Sequence, residues 1–152
     1  MAKTIGFIGL GRMGGAIAAN LLAAGHPVVG CDITRKRVRE LEALGGEGAA
    51  SPEEAATRSD LLMLSVPWDA DVEKVLLGEK GALPVLGCGA MVVDFSTVLP
   101  ATSLRMSAAL KEAGVFYLDA PISGNRAITR ERGGTIMVGG EERAYKRIRP
   151  VL

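Results

Sequence analysis

The chain has 152 residues, of which 48% are hydrophobic and 23% are charged. This size and composition predict one globular domain over residues 1–152, large enough to bury its own core. The net charge of +1 offers no field that would attract nucleic acid or an anionic membrane, so we expect neither as a partner.

Apolar runs and helical patterns alternate along the chain. The run at residues 4–10 predicts a buried strand, and the apolar residues at helical spacing after it predict a helix that Gly25 ends. Thr34 and Ser51 are candidate helix caps, and Ser51 is followed by Pro52 and two glutamates, as is typical of a helix N-terminus. In chain order, the predicted strands are residues 4–10, 27–31, 60–66, 91–95, 115–118 and 135–138, and the predicted helices are residues 12–24, 34–44, 70–77 and 100–113, with two more beginning near residues 52 and 141.

The alternation of strands and helices favours an α/β domain. Because the strands are apolar throughout, they fit a mostly parallel sheet that is covered by helices on both faces. We therefore predict a doubly wound, Rossmann-type fold. Ligands of such folds bind at the carboxyl ends of the strands, which directs attention to the loops after Leu10, Cys31, Val66, Phe95 and Leu118.

The first of these loops contains the motif G-x-G-x-x-G, formed by Gly9, Gly11 and Gly14 between a predicted strand and a predicted helix. In a dinucleotide site, the first glycine permits a tight turn, the second lets the backbone approach a pyrophosphate, and the third lets the helix pack closely. The motif alone is weak evidence, since glycine also makes ordinary turns and methyltransferases use glycine-rich loops. The complete strand–helix–strand context and the third glycine favour dinucleotide binding.

Asp32 ends the second predicted strand, where an acid is placed to accept hydrogen bonds from the ribose hydroxyls of an adenosine. Its carboxylate would repel a 2′-phosphate, so we expect NAD as the cofactor and NADP less readily. Two alternatives stay open. Asp32 caps a turn before Thr34, or the basic run Arg35-Lys36-Arg37, whose default interpretation is a solvated helix face, contacts a 2′-phosphate, with Arg35 the first candidate.

The cysteines and the N-terminus address the compartment. Cys31 and Cys88 share neither a CxxC pair nor a metal-ligand spacing, so we expect no disulfide framework and no metal site. One lysine followed directly by an apolar run does not fit a signal peptide, and no apolar run approaches the ~20 residues of a membrane helix. We expect a cytoplasmic protein.

Four stretches together resemble one family. They are "GFIGLGRMG" at residues 6–14, "DFSTVLP" at 94–100, "DAPISG" at 119–124 and "IMVGG" at 136–140. In this order and spacing the chain is similar to the N-terminal domain of the β-hydroxyacid dehydrogenases, a family that includes 3-hydroxyisobutyrate dehydrogenase and tartronate semialdehyde reductase. The "GNSxxxD" pattern of true 6-phosphogluconate dehydrogenases is missing, so we do not assign that substrate.

The resemblance implies roles for particular positions. It implies that residues 6–20 cradle the pyrophosphate, that the segment after the strand at 60–66 borders the adenosine, and that a threonine after the strand at 91–95 reaches the nicotinamide ribose. The implied cofactor-binding residues are Gly9, Leu10, Gly11, Arg12, Met13, Gly14, Asp32, Val66, Pro67 and Thr97.

The resemblance also implies a substrate site. Ser123 and Gly124 would hold the carboxylate of a small hydroxyacid, since a serine hydroxyl and free backbone N–H groups both donate hydrogen bonds. Many members have a second glycine after this pair, whereas this chain has Asn125, whose amide could donate to a substrate oxygen. Without the family pattern, an ordinary turn would be the preferred interpretation of this segment.

The family's catalytic lysine lies beyond the Ser-Gly motif, in a second, helical domain, and none of the lysines of this chain stands in that lysine's motif. We therefore expect no catalytic residue within residues 1–152, and we expect association with a second copy or with the helical domain. Three functions remain: the NAD(P)-binding half of an oxidoreductase acting on a small hydroxyacid or semialdehyde, a non-enzymatic dinucleotide-binding or sensor module, or a structural domain. The intact glycines and Asp32 count against the last of these.

Overall fold

A computed structural model describes residues 3–152. The apolar runs form strands, and the segments with helical spacing form helices. The strands are β1 (Ile5–Ile8), β2 (Val28–Cys31), β3 (Glu47–Gly48), β4 (Leu61–Leu64), β5 (Met91–Asp94), β6 (Phe116–Asp119), β7 (Ile122–Ser123), β8 (Thr135–Ile136) and β9 (Gly139–Gly140). The helices are α1 (Arg12–Ala23), α2 (Arg35–Glu42), α3 (Pro52–Thr57), α4 (Asp69–Leu77), α5 (Pro100–Glu112), α6 (Arg126–Arg130) and α7 (Glu142–Ile148), with one 3₁₀ turn at Leu83–Val85.

One seven-stranded sheet has the order β3-β2-β1-β4-β5-β6-β9. The first six strands are parallel, and β9 pairs antiparallel with β6 at the edge. The predicted doubly wound α/β fold is therefore confirmed. Strand order reverses between β1 and β4, so the loops after these two strands diverge and leave a crevice at their carboxyl ends.

The two faces of the sheet bury alternate residues of each strand, because successive side chains of a strand point to opposite faces. On one face Phe7 and Met63 pack with residues of α1, α2 and α7. On the other, Ile8 and Leu64 pack with residues of α3, α4 and α5. Helices thus cover both faces, which explains why the strands are apolar throughout.

Of the three helix-end residues predicted from the sequence, Ser51 and Gly25 have the expected role and Thr34 does not. Ser51 caps α3, because its Oγ accepts a hydrogen bond of 3.1 Å from the N–H of Glu54. Gly25 follows α1 with a φ of +86°, a left-handed conformation that favours glycine. Thr34 occupies the N-cap of α2, but its side chain makes no capping hydrogen bond within the described residues; instead its N–H donates to Asp32.

The predicted strand at residues 135–138 is divided in the structure. Thr135 and Ile136 form β8, which pairs with β7 outside the main sheet, and the sheet instead gains Gly139–Gly140 as its edge strand. The cause is the run of glycines around this segment, which lets the chain change direction within a few residues. Helix α6 was not predicted, because its five residues are too few to show a helical period.

Met1 and Ala2, part of the N-terminus on which the expectation about a signal peptide was based, lie outside the described residues. Across residues 3–152, no helix has both the length and the apolar character needed to cross a membrane.

Burial predicts which leucines stabilise the domain. Leu64 of β4 is fully buried against the helices on one face of the sheet, whereas Leu104 on α5 is 72% exposed. We expect Leu64→Ala to lower the free energy of unfolding by about 2–5 kcal/mol, through lost burial and the cavity left behind. The matched change Leu104→Ala should cost less than about 0.5 kcal/mol. Urea unfolding of both variants measures the difference, and equal midpoints would contradict the packing described here.

Candidate functional site

A cavity of about 540 Å³ opens at the carboxyl ends of β1, β2 and β4. Its walls come from the turn after β1, the residues at the end of β2, the segment after β4 and the inner side of α4. This volume lies in the range of small-molecule and cofactor sites. Of the residues proposed from the sequence, the cavity brings together Gly9, Gly11, Asp32, Val66 and Pro67.

Two of the three glycines of the turn are required by close contacts within the protein, and the third is not. Gly9 has a φ of +86°, and a Cβ there would lie 2.2 Å from the Ser65 carbonyl oxygen. A Cβ at Gly14 would lie 1.9 Å from the Gly9 carbonyl oxygen, so helix α1 packs directly on the turn. At Gly11, by contrast, the nearest atom that a Cβ would meet among the described residues is Arg37 Nη1, at 3.9 Å. The backbone at Gly11 therefore faces open space.

Helix α1 begins at this opening. Gly11 is its N-cap, and Arg12, Met13 and Gly14 form its first turn. The N–H groups at a helix start have no carbonyl partner within the helix, and the helix dipole adds partial positive charge there. Open space, free donors and positive potential coincide at one place, an arrangement that suits a phosphate group.

Asp32 joins the turn to the end of β2. Its Oδ2 accepts a 2.7 Å hydrogen bond from the N–H of Leu10, and its Oδ1 accepts one of 2.7 Å from the N–H of Thr34. The side chain is only 4% exposed. Asp32 therefore does act in a turn, but a carboxylate has about four lone-pair sites, so it keeps acceptor capacity for a ligand hydroxyl.

Arg37, the last residue of the basic run at residues 35–37, is the arginine beside Asp32. Its Nη1 lies 3.4 Å from both carboxylate oxygens, and it lines the cavity. Arg35, which drew attention in the sequence, is exposed and does not line the cavity. The first turn of α2 explains this difference, because it directs Arg37 back toward the end of β2.

Cys31 also lines the cavity, and its thiol is unreactive there. Burial raises the pKa of Cys31 to about 11, and the charges of Asp32 and Glu54 act in the same direction. The thiol stays protonated at neutral pH, so it is a weak nucleophile and packs as a small apolar side chain. Nor do residues 3–152 hold a group of three or more His, Cys, Asp and Glu residues arranged to bind a metal.

The ends of β4, β5 and β6 are linked by buried polar groups that the sequence analysis missed. The Tyr117 hydroxyl donates to Asp94 Oδ2 at 2.8 Å, the Ser96 N–H donates to Asp94 Oδ1 at 2.8 Å, and the Val66 N–H donates to Ser96 Oγ at 3.0 Å. An acid at the end of an apolar run, with a tyrosine in the next strand, is the one signal that could have found this network. Thr97 follows Ser96 at the surface, outside the cavity.

Burial shifts the titration of this network. It raises the pKa of Asp94, an effect that hydrogen bonds from Ser96 and Tyr117 oppose and the charge of Asp119 strengthens. Burial also raises the pKa of Tyr117, and the neighbouring Asp94 adds to the shift. The tyrosine therefore remains a hydroxyl donor at every physiological pH.

The segment implied for the substrate lies apart from the cavity. Ser123 pairs with Thr135 at the exposed edge of β7, and Gly124 follows it in an open turn. Asn125 caps α6, because its Oδ1 accepts a 3.1 Å hydrogen bond from the N–H of Ile128. Its oxygen is thus engaged, while its amide N–H groups keep the capacity to donate.

Helix α1 is hydrogen-bonded to α6, the helix that follows this segment. Asn20 Nδ2 donates a 2.6 Å hydrogen bond to the carbonyl oxygen of Thr129 in α6. Helix α1 therefore begins at the glycine turn, and its third turn is hydrogen-bonded to α6, the helix that follows Ser123 and Gly124.

Comparison with known proteins agrees with this arrangement. Residues 4–152 match a family model described as the NAD binding domain of 6-phosphogluconate dehydrogenase. The chain is 38% identical to 2-(hydroxymethyl)glutarate dehydrogenase of Eubacterium barkeri over 148 residues, which cover 97% of this chain and 49% of that protein.

Solved structures are similar over the same extent. A 3-hydroxyisobutyrate dehydrogenase from Mycobacterium tuberculosis with L-serine superposes with a TM-score of 0.93 at 32% identity, covering 100% of this chain and 51% of the other. Psf3 in complex with NADP⁺ and 2-OPP gives a TM-score of 0.92 at 32% identity, covering 97% of this chain and 52% of the other.

The chain spans about half the length of the relatives it matches. The matched residues 4–152 of this chain contain its parallel sheet, its glycine turn and its cavity. The chain belongs to the family of NAD-binding domains of the 6-phosphogluconate dehydrogenase type, and its relatives in that family are 3-hydroxyisobutyrate dehydrogenase-like proteins.

Proposed function

We propose that this domain serves an oxidoreductase that transfers a hydride between NAD and a small hydroxyacid or its semialdehyde. The observation that carries the proposal is the open space over Gly11, which faces the free N–H groups of α1 and continues into a cavity bounded by Asp32. The nicotinamide ring of the bound cofactor supplies or accepts the hydride. The described residues bind and orient that cofactor.

Each part of a dinucleotide finds suitable groups. The pyrophosphate fits the first turn of α1, where backbone donors and the helix dipole favour anions. The adenosine fits the 540 Å³ cavity between Asp32 on one side and Val66 and Pro67 on the other. The nicotinamide half then extends toward Thr97, which lies three residues after the end of β5.

The charge of Asp32 favours NAD over NADP. A carboxylate accepts hydrogen bonds from ribose hydroxyls, but it repels a phosphate at the same position. Arg37 acts in the opposite direction, because its guanidinium lies 3.4 Å from Asp32 and would attract a phosphate. The carboxylate is held by two backbone hydrogen bonds and cannot turn away, whereas the arginine side chain is 44% exposed and free to move into solvent.

The substrate proposal rests on the turn after β7. The Ser123 hydroxyl, the Gly124 N–H and the Asn125 amide are exposed donors on consecutive residues, and three donors in a turn suit a carboxylate. We assign a small hydroxyacid, not 6-phosphogluconate, because "DFST" at residues 94–97 stands where the 6-phosphogluconate dehydrogenases have a different pattern.

Catalysis and assembly complete the proposal. Protonation of the substrate oxygen needs a general acid, which we assign to the part of the family's fold that lies beyond the half described here. We also propose that the domain associates with a helical domain or with a second copy of itself. We further propose that it works in the cytoplasm, where the free thiols of Cys31 and Cys88 stay reduced.

Replacing Gly11 with valine should abolish NADH binding while the domain stays folded. A Cβ at Gly11 points into open space, so the fold tolerates it, but the branched side chain fills the position proposed for the pyrophosphate. Isothermal titration calorimetry measures the binding, and circular dichroism checks the fold. Gly87→Val is the matched control, since a Cβ there meets nothing within 4 Å and Gly87 lies outside the cavity. Unchanged NADH affinity in folded Gly11→Val would place the pyrophosphate elsewhere.

The wild-type chain should bind NADH about ten- to a hundredfold more tightly than NADPH, because hydrogen bonds to a charged group contribute about 1.5–3 kcal/mol. Calorimetry with both cofactors measures the ratio. Arg37→Gln should weaken the remaining NADPH binding and leave NADH binding within about twofold, whereas Arg35→Gln should change neither. Tighter binding of NADPH by the wild-type chain would reverse the assignment of Asp32.

The chain by itself should bind NAD⁺ yet show no appreciable turnover with 3-hydroxyisobutyrate, L-serine or 2-(hydroxymethyl)glutarate. A missing general acid or base typically costs about 10²–10⁴ in rate, and an unclosed substrate pocket adds a further loss. The absorbance of reduced nicotinamide follows the reaction, with a full-length 3-hydroxyisobutyrate dehydrogenase as positive control. Robust turnover would mean that a residue of this chain accepts the hydroxyl proton as general base in this direction, and the side chains of Lys111 and His26 would be the first to replace.

A further inference from the structure

Three strands of the sheet end around one buried carboxylate. Asp94 is the last residue of β5 and is fully buried. Tyr117, on the neighbouring strand β6, is 6% exposed and directs its hydroxyl to Asp94 Oδ2 at 2.8 Å. A buried carboxylate without an oppositely charged partner is costly, and an apolar residue would be cheaper at this position in the core.

The second oxygen of Asp94 organises the chain after β5. It accepts a hydrogen bond of 2.8 Å from the N–H of Ser96, two residues on, which fixes the backbone in a tight turn. Ser96 is 2% exposed, and its Oγ accepts a hydrogen bond of 3.0 Å from the N–H of Val66. The carboxylate is thereby connected through one serine to the segment after β4.

The two connected segments carry opposite ends of the proposed cofactor site. Val66 and Pro67 line the cavity proposed for adenosine. Thr97 follows Ser96 directly and is proposed for the nicotinamide ribose. The chain of hydrogen bonds from Tyr117 to Val66 therefore connects the segment of Val66 and Pro67 to the segment of Ser96 and Thr97.

We propose that Asp94 is a positioning residue of the cofactor site, which acts through Tyr117 and Ser96 to hold the segment of Val66 and Pro67 at a fixed separation from Thr97. The inference rests on the cofactor-binding function proposed above. A fixed separation matters to a ligand that must touch both segments at once, because engaging the second segment is then an intramolecular event. It matters little to a ligand that touches one segment only.

Two ligands separate this role from ordinary support of the core. NADH reaches both segments, whereas ADP carries only the adenosine and the pyrophosphate. In Tyr117→Phe, which removes the hydroxyl from Asp94 and retains the ring, we expect the Kd for NADH to rise about tenfold, as for the loss of a hydrogen bond to a charged group. The Kd for ADP should change by less than about twofold. Fluorescence titration with NADH, and its displacement by ADP, measure both constants well below the unfolding temperature.

Asp94→Asn is the second variant, because an amide retains the size of the side chain but offers one acceptor oxygen in place of two. It should show the same pattern. Tyr145→Phe on α7 is the matched control for loss of a tyrosine hydroxyl, and both its dissociation constants should equal those of the wild-type chain.

The outcomes differ for the inference and for the function beneath it. Wild-type NADH binding with unchanged NADH affinity in both variants would overturn the positioning role alone. An equal loss of affinity for NADH and for ADP would show that the network only supports the adenosine side. Loss of the folded state in both variants would show that it only supports the core. Either result overturns the inference. A wild-type chain that binds neither ligand would overturn the proposed function and the inference together.

Discussion

The contact between two backbones at the glycine turn determines the rest of the site. The Gly9 carbonyl oxygen would lie 1.9 Å from a Cβ at Gly14, and a Cβ at Gly9 would lie 2.2 Å from the Ser65 carbonyl oxygen. Strand β1, helix α1 and the end of β4 can therefore meet only where these positions have no side chain. This close approach brings the start of α1 down to the sheet edge, so that its free N–H groups face the crevice where strand order reverses.

Several polar groups at the carboxyl ends of the parallel strands are buried from solvent. All six parallel strands end at one edge, and acids stand there: Asp32 just after β2, Asp94 at the end of β5 and Asp119 at the end of β6. Asp32 is compensated by two backbone N–H groups, and Asp94 by Ser96 and Tyr117. Asp119 faces Asp94 in register on the next strand and remains partly exposed, and burial raises the pKa of its carboxyl group.

Features with local signals could be predicted from the sequence. The long apolar runs predicted the main strands, and the glycine motif with Asp32 predicted which strand ends would meet at the cavity. Strands β3, β7 and β9 and helix α6 could not be predicted, because so few residues have no period and their pairing depends on the neighbouring strand. Likewise, the sequence indicated the basic run at residues 35–37 with Arg35 as the first candidate, whereas the start of α2 brings Arg37 to Asp32.

The network around Asp94 was missed for a different reason, because its signal is divided between two strands. Asp94 and Tyr117 are 23 residues apart, and only the parallel register of β5 and β6 brings their side chains together. In that register Val92 is paired with Tyr117, so the tyrosine ring lies beside an apolar residue while its hydroxyl reaches the strand end. An acid in an apolar run is costly unless such a donor arrives from another strand. The sequence of either strand alone therefore does not show that Asp94 connects the ends of three strands, which it does through Tyr117 and Ser96.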